Sequence, residues 1–141
     1  MYQEIEEFER SLHTGNYKLT SQREAIFELL KNTEGHLTAE EIYELIKERN
    51  PDIGLSTVYR TLRLLTDIGL VRKLNLDDKP IHYELTLSPH NHLICLRCGR
   101  IIDIDNEVLE GIDEGIKKYK FKWQRMIIFG ECQRCSRKSR D

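Results

Sequence analysis

The sequence lacks long apolar runs and carries almost no net charge. Its uninterrupted apolar stretches are only a few residues long, and its first ten residues, MYQEIEEFER, are acidic. A membrane-spanning helix needs about 20 apolar residues and an export signal begins with basic ones, so we expect neither, and a cytoplasmic protein. Because the formal net charge is only −2, any contact with nucleic acid requires a local basic surface.

Cysteine is absent outside two short motifs. The four cysteines form two CxxC pairs, Cys95/Cys98 and Cys132/Cys135. In a chain without an export signal, this pattern indicates a metal site rather than disulfides. The two pairs can supply the four sulfurs of a structural zinc site, and Gly99 suits the tight turn after the first pair. A thioredoxin-like redox pair and inert buried thiols are the alternatives.

Hydrophobic periodicity predicts four helices in the first half of the chain. The first contains residues 5–12, and the other three begin after capping residues. The predicted caps are Thr20 or Ser21, then Thr38 in a capping box with Glu41, then Ser56. The predicted inward-facing residues of these three helices are Ala25, Ile26, Leu29 and Leu30, then Ile42, Leu45 and Ile46, then Val58, Leu62 and Leu65.

A hairpin follows these helices. Residues 70–76 and 81–87 alternate as strands do, and residues 77–80 form a turn between them. Helices followed by a two-stranded hairpin are typical of a winged helix-turn-helix, a DNA-binding fold. The helix after Ser56, which Gly69 ends, carries Tyr59, Arg60 and Arg63 on the face opposite its apolar stripe.

The second half of the chain alternates strands with one helix. We predict strands over residues 92–96, 100–104 and 121–129, with a hinge near Ser88 and Pro89. A helix is predicted over residues 106–120. Its predicted inward-facing residues are Val108, Ile112, Ile116 and Tyr119.

Strand parity separates two histidines from the cysteines. Successive side chains on a strand point to opposite faces, so His90 and His92 share one face and Cys95 lies on the other. If the four cysteines hold zinc, the histidines need other partners. Together with His36, Glu84 and Asp103 they make a nitrogen and oxygen donor set suited to Fe2+, Mn2+ or Zn2+. The plain alternative is that these are solvated loop histidines and strand carboxylates.

The sequence resembles the ferric uptake regulators, a family of dimeric, metal-dependent bacterial repressors. Five segments in order carry the resemblance: YKLTSQREAI, HLTAEEIYELIK, GLSTVYRTLRLL, HNHLICLRCGRIIDI and FGECQRC. It implies an α+β fold with a winged helix-turn-helix domain at residues 1–86, a hinge at 87–89, and a small α/β dimerisation domain with structural zinc at 90–141. It also implies a homodimer that binds a double-stranded DNA operator, and neither a membrane nor a small organic substrate.

The resemblance also assigns site residues. Structural Zn2+ is assigned to Cys95, Cys98, Cys132 and Cys135. A regulatory ion is assigned to His36, Glu84, His90, His92 and Asp103. Tyr59 and Arg60 match residues that reach bases, and Lys18 matches a lysine that enters an adjacent minor groove. Arg63 and Arg23 are candidate phosphate contacts.

The ligands also bear on the signal. Iron sensors of the family commonly have glutamate at the place of Asp103, whereas peroxide sensors have aspartate there and usually also at the place of Glu84. Zinc sensors often use a cysteine near Glu84. We expect iron sensing with Fe2+ or Mn2+ as corepressor and Zn2+ able to substitute in vitro. Peroxide sensing by iron-driven histidine oxidation is the alternative.

A further metal site of some family members is not expected here. Its places hold Pro89, Asn91 and Gln124, and only Glu110 is retained.

Two other classes of protein compete with a repressor. His90, His92 and one carboxylate match the facial triad of a non-haem iron oxygenase. Such an enzyme requires a barrel of many strands, whereas the first half of this chain is helical. A zinc-ribbon module acting through protein contacts has no need of the exposed face with Tyr59, Arg60 and Arg63. We therefore expect a DNA-binding repressor and no enzyme.

Overall fold

The computed structural model of the chain describes residues 6, 9–10, 12–15, 17–76, 78–86, 90–120 and 125–138. Three sets of predicted residues lie outside this set: the hinge at 87–89, residues 5, 7, 8 and 11 of the first helix, and residues 121–124 of the last strand. The chain divides into two compact units, residues 1–87 and 88–141, each with its own three-stranded sheet. Within the described residues, no helix is long and apolar enough to cross a membrane.

Side-chain caps fix where two helices of the first unit begin. The helices are α1, Ser21–Asn32, α2, Ala39–Ile46, and α3, Leu55–Asp67. Thr20 caps α1 by accepting a hydrogen bond from the backbone N–H of Arg23 at 3.3 Å. Thr38 and Glu41 make both hydrogen bonds of the capping box predicted for α2.

The start of α3 differs from the prediction, because Ser56 does not cap it. The carbonyl of Gly54 accepts hydrogen bonds from the N–H groups of Thr57 and Val58, at 3.0 and 3.2 Å. Gly54 is therefore the N-cap, a position that glycine tolerates, and Ser56 lies inside the helix. At the other end, Gly69 leaves the helix with a φ of +81°, as the prediction that it closes α3 requires.

The three helices pack around an apolar core in the first unit. Completely buried, as predicted, are Val58, Leu62 and Leu65. The prediction is wrong for Leu45, which is 52% exposed. At about 100° per residue, Ala39, Ile42 and Ile46 form the buried stripe of α2, and Leu45 falls to one side of it. Phe27 of α1, which was not among the predicted inward-facing residues, is 1% exposed.

The sheet of the first unit contains the predicted hairpin. Its strands are β1, Leu37–Thr38, β2, Val71–Leu74, and β3, His82–Leu85, in the antiparallel order β1-β3-β2. We call the β2–β3 hairpin the wing; its strands are shorter than predicted. The sequence does not predict β1, because two residues are too few to show an alternating pattern. Thr38 caps α2 and also pairs with His82, so the wing is joined directly to α2.

The second unit combines a mixed sheet with short helices, which confirms the α+β class. Its strands are β4, Asn91–Cys95, β5, Ile101–Ile104, and β6, Ile127–Gly130. A 3-10 helix, Asn106–Leu109, runs into α4, Glu110–Lys117, and α5 is Gln133–Lys138. The sheet order is β5-β4-β6; β4 runs antiparallel to β5 and parallel to β6.

For the helix predicted at 106–120, three of the four predicted inward-facing residues are exposed, and only Ile116 is half-buried. Val108 and Tyr119 are 70% and 72% exposed, and Ile112 is 36% exposed. Leu109 is buried instead, at 2% exposure. The helix begins as a 3-10 turn with about three residues per turn, so the phase of its buried side differs from that of a continuous α-helix.

Candidate metal centres and nucleic-acid interface

Strand pairing brings the two CxxC motifs together. In the parallel pairing of β4 and β6, Cys95 lies beside Gly130, and Cys132 follows two residues later. Gly99 has a φ of +72° and donates its N–H to the carbonyl of Cys95 at 2.9 Å, which closes the predicted turn after the first motif. The second motif opens α5, where the N–H of Cys135 donates to the carbonyl of Cys132.

The four sulfurs fit a single tetrahedral ion. All four Sγ atoms lie within 4.8 Å of one another. The Sγ atoms of Cys98 and Cys132 are 3.8 Å apart, far beyond the roughly 2.05 Å of a disulfide. Four sulfurs arranged tetrahedrally at about 2.3 Å from zinc are about 3.8 Å from one another. The donor set and its spacing therefore suit a structural zinc ion.

Backbone hydrogen bonds prepare one of these thiols to ionise. The N–H of Cys132 donates to Sγ of Cys95 at 3.4 Å and is the main reason that the pKa of Cys95 falls to about 6. The pKa of Cys135 rises to about 12, chiefly through its hydrogen bond with the Cys132 side chain. The clustered sulfurs thus resist full ionisation among themselves, and a cation that binds them favours the thiolates.

A second group of ligand-type side chains lies on the other side of β4. Asp103 of β5 is the register partner of His92, and its Oδ1 lies 3.5 Å from Nε2 of His92. The same oxygen lies 3.8 Å from Nε2 of His90, and the two imidazole rings are 4.7 Å apart at their centroids. His92 is fully buried, whereas the Asp103 side chain is 49% exposed. Two imidazole nitrogens and a carboxylate oxygen therefore converge, and the side chain that carries the oxygen is half exposed.

The first unit holds a matching pair of ligand-type side chains. Nε2 of His36, just before β1, lies 2.7 Å from Oε2 of Glu84 on β3. Both side chains are buried, at 7% and 4% exposure. The other carboxylate oxygen of Glu84 accepts a hydrogen bond from Arg72, its register partner on β2, at 3.2 Å. Arg72 thus orients Glu84 so that Oε2 faces the histidine.

Arg72 and Asn91 hold candidate ligands and their strands in place, a role that was not predicted from the sequence. Asn91 is completely buried; its amide nitrogen donates to Oδ1 of Asn106 at 2.7 Å, and its Oδ1 accepts from the N–H of Met126 at 2.8 Å. These bonds tie the start of β4 to the 3-10 helix and to the start of β6. The sequence held one signal of this role for Asn91, namely its position between His90 and His92. A polar residue inside a buried strand needs hydrogen-bond partners.

The predicted DNA-binding face of α3 is exposed. Tyr59, Arg60 and Arg63 all lie on the solvent side of the helix, and Tyr59 is 43% exposed. The Arg60 side chain turns back toward the carbonyl of Ser56, at 3.4 Å. Because the net charge of the chain is low, contact with nucleic acid would require a local basic surface. This exposed face, with one aromatic and two cationic side chains, is such a surface.

Lys18 and Arg23 lie together at the start of α1. Lys18 is exposed, and Arg23 is half-buried. The Arg23 guanidinium donates a hydrogen bond to the backbone carbonyl of Lys18. Arg23 therefore anchors the segment that carries Lys18, which adds a structural role to its predicted phosphate contact.

Sequence comparison identifies similar proteins over almost the whole chain. A model of the ferric uptake regulator family matches residues 14–129. The ferric uptake regulation protein of Bacillus subtilis is 43% identical over 98% of this chain and 98% of that protein. The peroxide operon regulator of the same organism is 33% identical over 96% of this chain and 95% of that protein.

Structural comparison leads to the same group. The ferric uptake regulator of Helicobacter pylori, a protein with three functional metal-binding sites, superposes with a TM-score of 0.79. Its sequence is 31% identical, and the match covers 94% of this chain and 91% of that one.

Proposed function

This chain belongs to the ferric uptake regulator family, and we propose that it is an iron-sensing member that represses transcription when Fe2+ or Mn2+ is bound. At the coarser level the chain is a metal-responsive, DNA-binding transcriptional repressor and not an enzyme. The alternative interpretation of the chain as a non-haem iron oxygenase is therefore wrong. Proteins of this family bind DNA operators as dimers in the cytoplasm, and we propose a homodimer, an operator of double-stranded DNA and the same compartment here.

The convergence of His90, His92 and Asp103 carries this proposal. Imidazoles with a carboxylate suit Fe2+ and Mn2+ and also accept Zn2+, whereas a set of four thiolates favours zinc. The cysteine group is separate from these ligands, because Cys95 has the opposite strand parity to His92 and therefore lies on the other face of β4. We propose that the four cysteines hold structural Zn2+ and that the histidine and carboxylate group holds the regulatory ion, for which Zn2+ substitutes in vitro.

The regulatory ion is proposed to take ligands from both halves of the chain. His36 and Glu84 belong to the DNA-binding half, residues 1–86, and the other three ligands belong to the dimerisation half, residues 90–141, with a hinge at 87–89. A shared set of ligands makes the arrangement of the halves depend on the ion. Shifting the DNA-binding arrangement from about 1% to about 99% of molecules requires roughly 10⁴-fold tighter binding to that arrangement.

In the DNA-bound dimer, each α3 is proposed to enter the major groove of one half-site. Tyr59 then contacts a thymine methyl group, and Arg60 donates hydrogen bonds to a base. Lys18 enters the adjacent minor groove, and Arg63 and Arg23 contact phosphates. The proposal is supported by the exposure of Tyr59, Arg60 and Arg63 on one face of α3.

Peroxide sensing is the second candidate, and Asp103 is the residue that favours it. Peroxide sensors of the family have aspartate at this place, but they usually also have aspartate where this chain has Glu84. The higher identity to the ferric uptake regulation protein than to the peroxide operon regulator, 43% against 33%, supports iron sensing.

One titration separates these functions. A duplex enriched from a random-sequence library by the manganese-loaded protein is titrated with protein and Fe2+, Mn2+ or Zn2+ without oxygen, and again after hydrogen peroxide. Iron sensing predicts that Fe2+ and Mn2+ promote binding and that peroxide adds no mass to the peptides containing His36 and His90. A gain of one oxygen atom on either peptide, with loss of Fe2+-dependent binding, would identify a peroxide sensor. If none of the three metals changes the affinity of the protein for the duplex, both functions are contradicted.

A further inference from the structure

An acidic side chain holds the aromatic residue of the DNA-binding face. Glu40 lies in the first turn of α2, and its Oε1 accepts a hydrogen bond from the Tyr59 hydroxyl at 2.5 Å. Both side chains are exposed. The contact lowers the pKa of Glu40 and raises that of Tyr59, chiefly through this hydrogen bond in each case. The carboxylate and the neutral phenol therefore persist together at neutral pH.

The position of Glu40 has a cost for DNA binding. A carboxylate next to a surface that approaches phosphates is repelled by them and opposes the release of counterions that drives binding. The first turn of a helix favours an acidic residue, but Glu41 already supplies one in the capping box. The hydrogen bond to Tyr59 is the specific contact that sets Glu40 apart from its neighbours.

A groove beside the Tyr59 ring has space for an alternative orientation of this side chain. The groove has a volume of about 300 Å³ and is lined by Ala39, Glu40, Tyr59, Lys79, Pro80, Ile81 and Tyr83. It runs between the start of α2, the exposed face of α3 and the tip of the wing. Tyr59 already forms one side of this groove, so without a partner for its hydroxyl the ring has room to turn into it and leave its present orientation.

We infer that Glu40 is a specificity-determining residue, which acts by fixing the Tyr59 ring in the orientation that contacts a thymine methyl group. The inference rests on the proposed function. Holding the ring before DNA arrives removes the entropic cost of ordering it in the complex. Glu40 thus lowers affinity for DNA of any sequence by its charge and raises the preference for the correct base through Tyr59.

The test compares variants on one defined duplex. The duplex enriched by the manganese-loaded wild-type protein is resynthesised with each thymine replaced in turn by deoxyuridine, which lacks only the methyl group. The measured quantity is the ratio of Kd values for the deoxyuridine and thymine duplexes at each position. A scrambled duplex of the same composition reports binding that is independent of sequence.

Each variant removes a different part of the contact. Glu40→Ala removes the acceptor and the charge, Glu40→Gln keeps an acceptor oxygen without the charge, and Tyr59→Phe removes only the hydroxyl. Glu44→Ala is the matched control, because Glu44 is an exposed carboxylate one turn further along α2 that contacts Lys47. Tyr59→Phe also leaves the first turn of α2 intact, so it separates positioning from any change in helix stability.

The inference predicts that Glu40→Ala and Tyr59→Phe each reduce thymine discrimination at one position by about threefold to tenfold, the usual effect of ordering one side chain. Combining them causes no further loss, and Glu40→Gln and Glu44→Ala retain discrimination. Glu40→Ala and Glu40→Gln both bind the scrambled duplex more tightly than the wild type does.

Three results would overturn the inference while leaving the proposed function intact. The first is equal discrimination between thymine and deoxyuridine in Glu40→Ala and Glu40→Gln. The second is discrimination in Tyr59→Phe that is unchanged from the wild type. The third is a wild-type protein that does not distinguish thymine from deoxyuridine anywhere in its duplex. If the wild-type protein enriches no sequence from the library, the proposed function fails, and the inference fails with it.

Discussion

Asp103 stands directly opposite His92 in the pairing of β4 and β5, and one of its oxygens approaches both His92 and His90, at 3.5 and 3.8 Å. The relationship is set by backbone register, because directly paired residues of antiparallel strands have their side chains on the same face. A residue slip in this pairing would turn Asp103 away from both histidines. The pairing of β4 and β5 therefore brings three of the five proposed ligands of the regulatory ion together before any ion binds.

The cysteine cluster provides the first prediction. Cys132→Ser should reduce the zinc content from about one ion per chain to a small fraction of that and destabilise the second unit, because structural zinc binding contributes to folding. Metal analysis by mass spectrometry and thermal unfolding followed by circular dichroism measure the two effects. Ser136→Ala, a change next to the second motif, should retain both zinc and stability. Full zinc content in Cys132→Ser would refute the four-sulfur site.

Arg72 provides the second prediction. Arg72→Met leaves the buried Glu84 carboxylate without its cationic partner. In the protein without a regulatory ion, this change should lower the unfolding free energy by about 2 kcal/mol. A regulatory ion supplies positive charge at the same carboxylate, so the loss should be smaller with saturating Mn2+. Urea unfolding with and without Mn2+ measures both values. Lys73→Met, at the exposed neighbouring position, serves as the control. An equal loss in both conditions would show that Arg72 does not compensate the charge of Glu84.

The titration of Tyr59 provides the third prediction. Its pKa is raised, chiefly because its hydroxyl donates to Glu40. The hydrogen bond is therefore present at neutral pH, is lost as the pH rises through the raised pKa of Tyr59, and is lost at the acid end as Glu40 is protonated below its usual range. In Glu40→Ala the pKa of Tyr59 should fall, as followed by NMR of 13C-labelled tyrosine. The pKa of Tyr83 should change less, because burial is the main cause of its rise. A Tyr59 pKa that does not move would show that the contact is absent in solution.

Local patterns predicted much of the first unit. The Thr38 and Glu41 capping box and the buried stripe of α3 follow from contacts within a few residues, and both are confirmed. Leu45 and Ser56 were predicted wrongly, each for a physical reason. Leu45 is exposed because α2 has only eight residues and buries one narrow stripe of them. Ser56 is not a cap because α3 begins at Gly54, whose backbone carbonyl accepts the first hydrogen bonds and which has no side-chain cap.

Long-range pairing explains what the sequence could not predict. The parallel pairing of β4 with β6 brings Cys95 toward Cys132 and depends on contacts more than 30 residues apart, which have no local signature. The partners of Asn91 and Arg72 likewise follow from register and not from spacing in the sequence. The two CxxC motifs and the H-x-H pair predicted candidate ligands, and only the fold shows that the side chains of each group converge.

We propose that His90, His92 and Asp103 bind a regulatory ion that is separate from the zinc held by the four cysteines. The most direct measurement is Mn2+-dependent affinity of the His90→Ala variant for the enriched duplex, with zinc content determined on the same sample. We predict that Mn2+ no longer increases DNA binding by His90→Ala, while about one zinc ion per chain remains. Mn2+-dependent binding equal to that of the wild type would show that His90 is not a ligand of the regulatory ion, and loss of the zinc along with the Mn2+ response would show that the two sites are not separate.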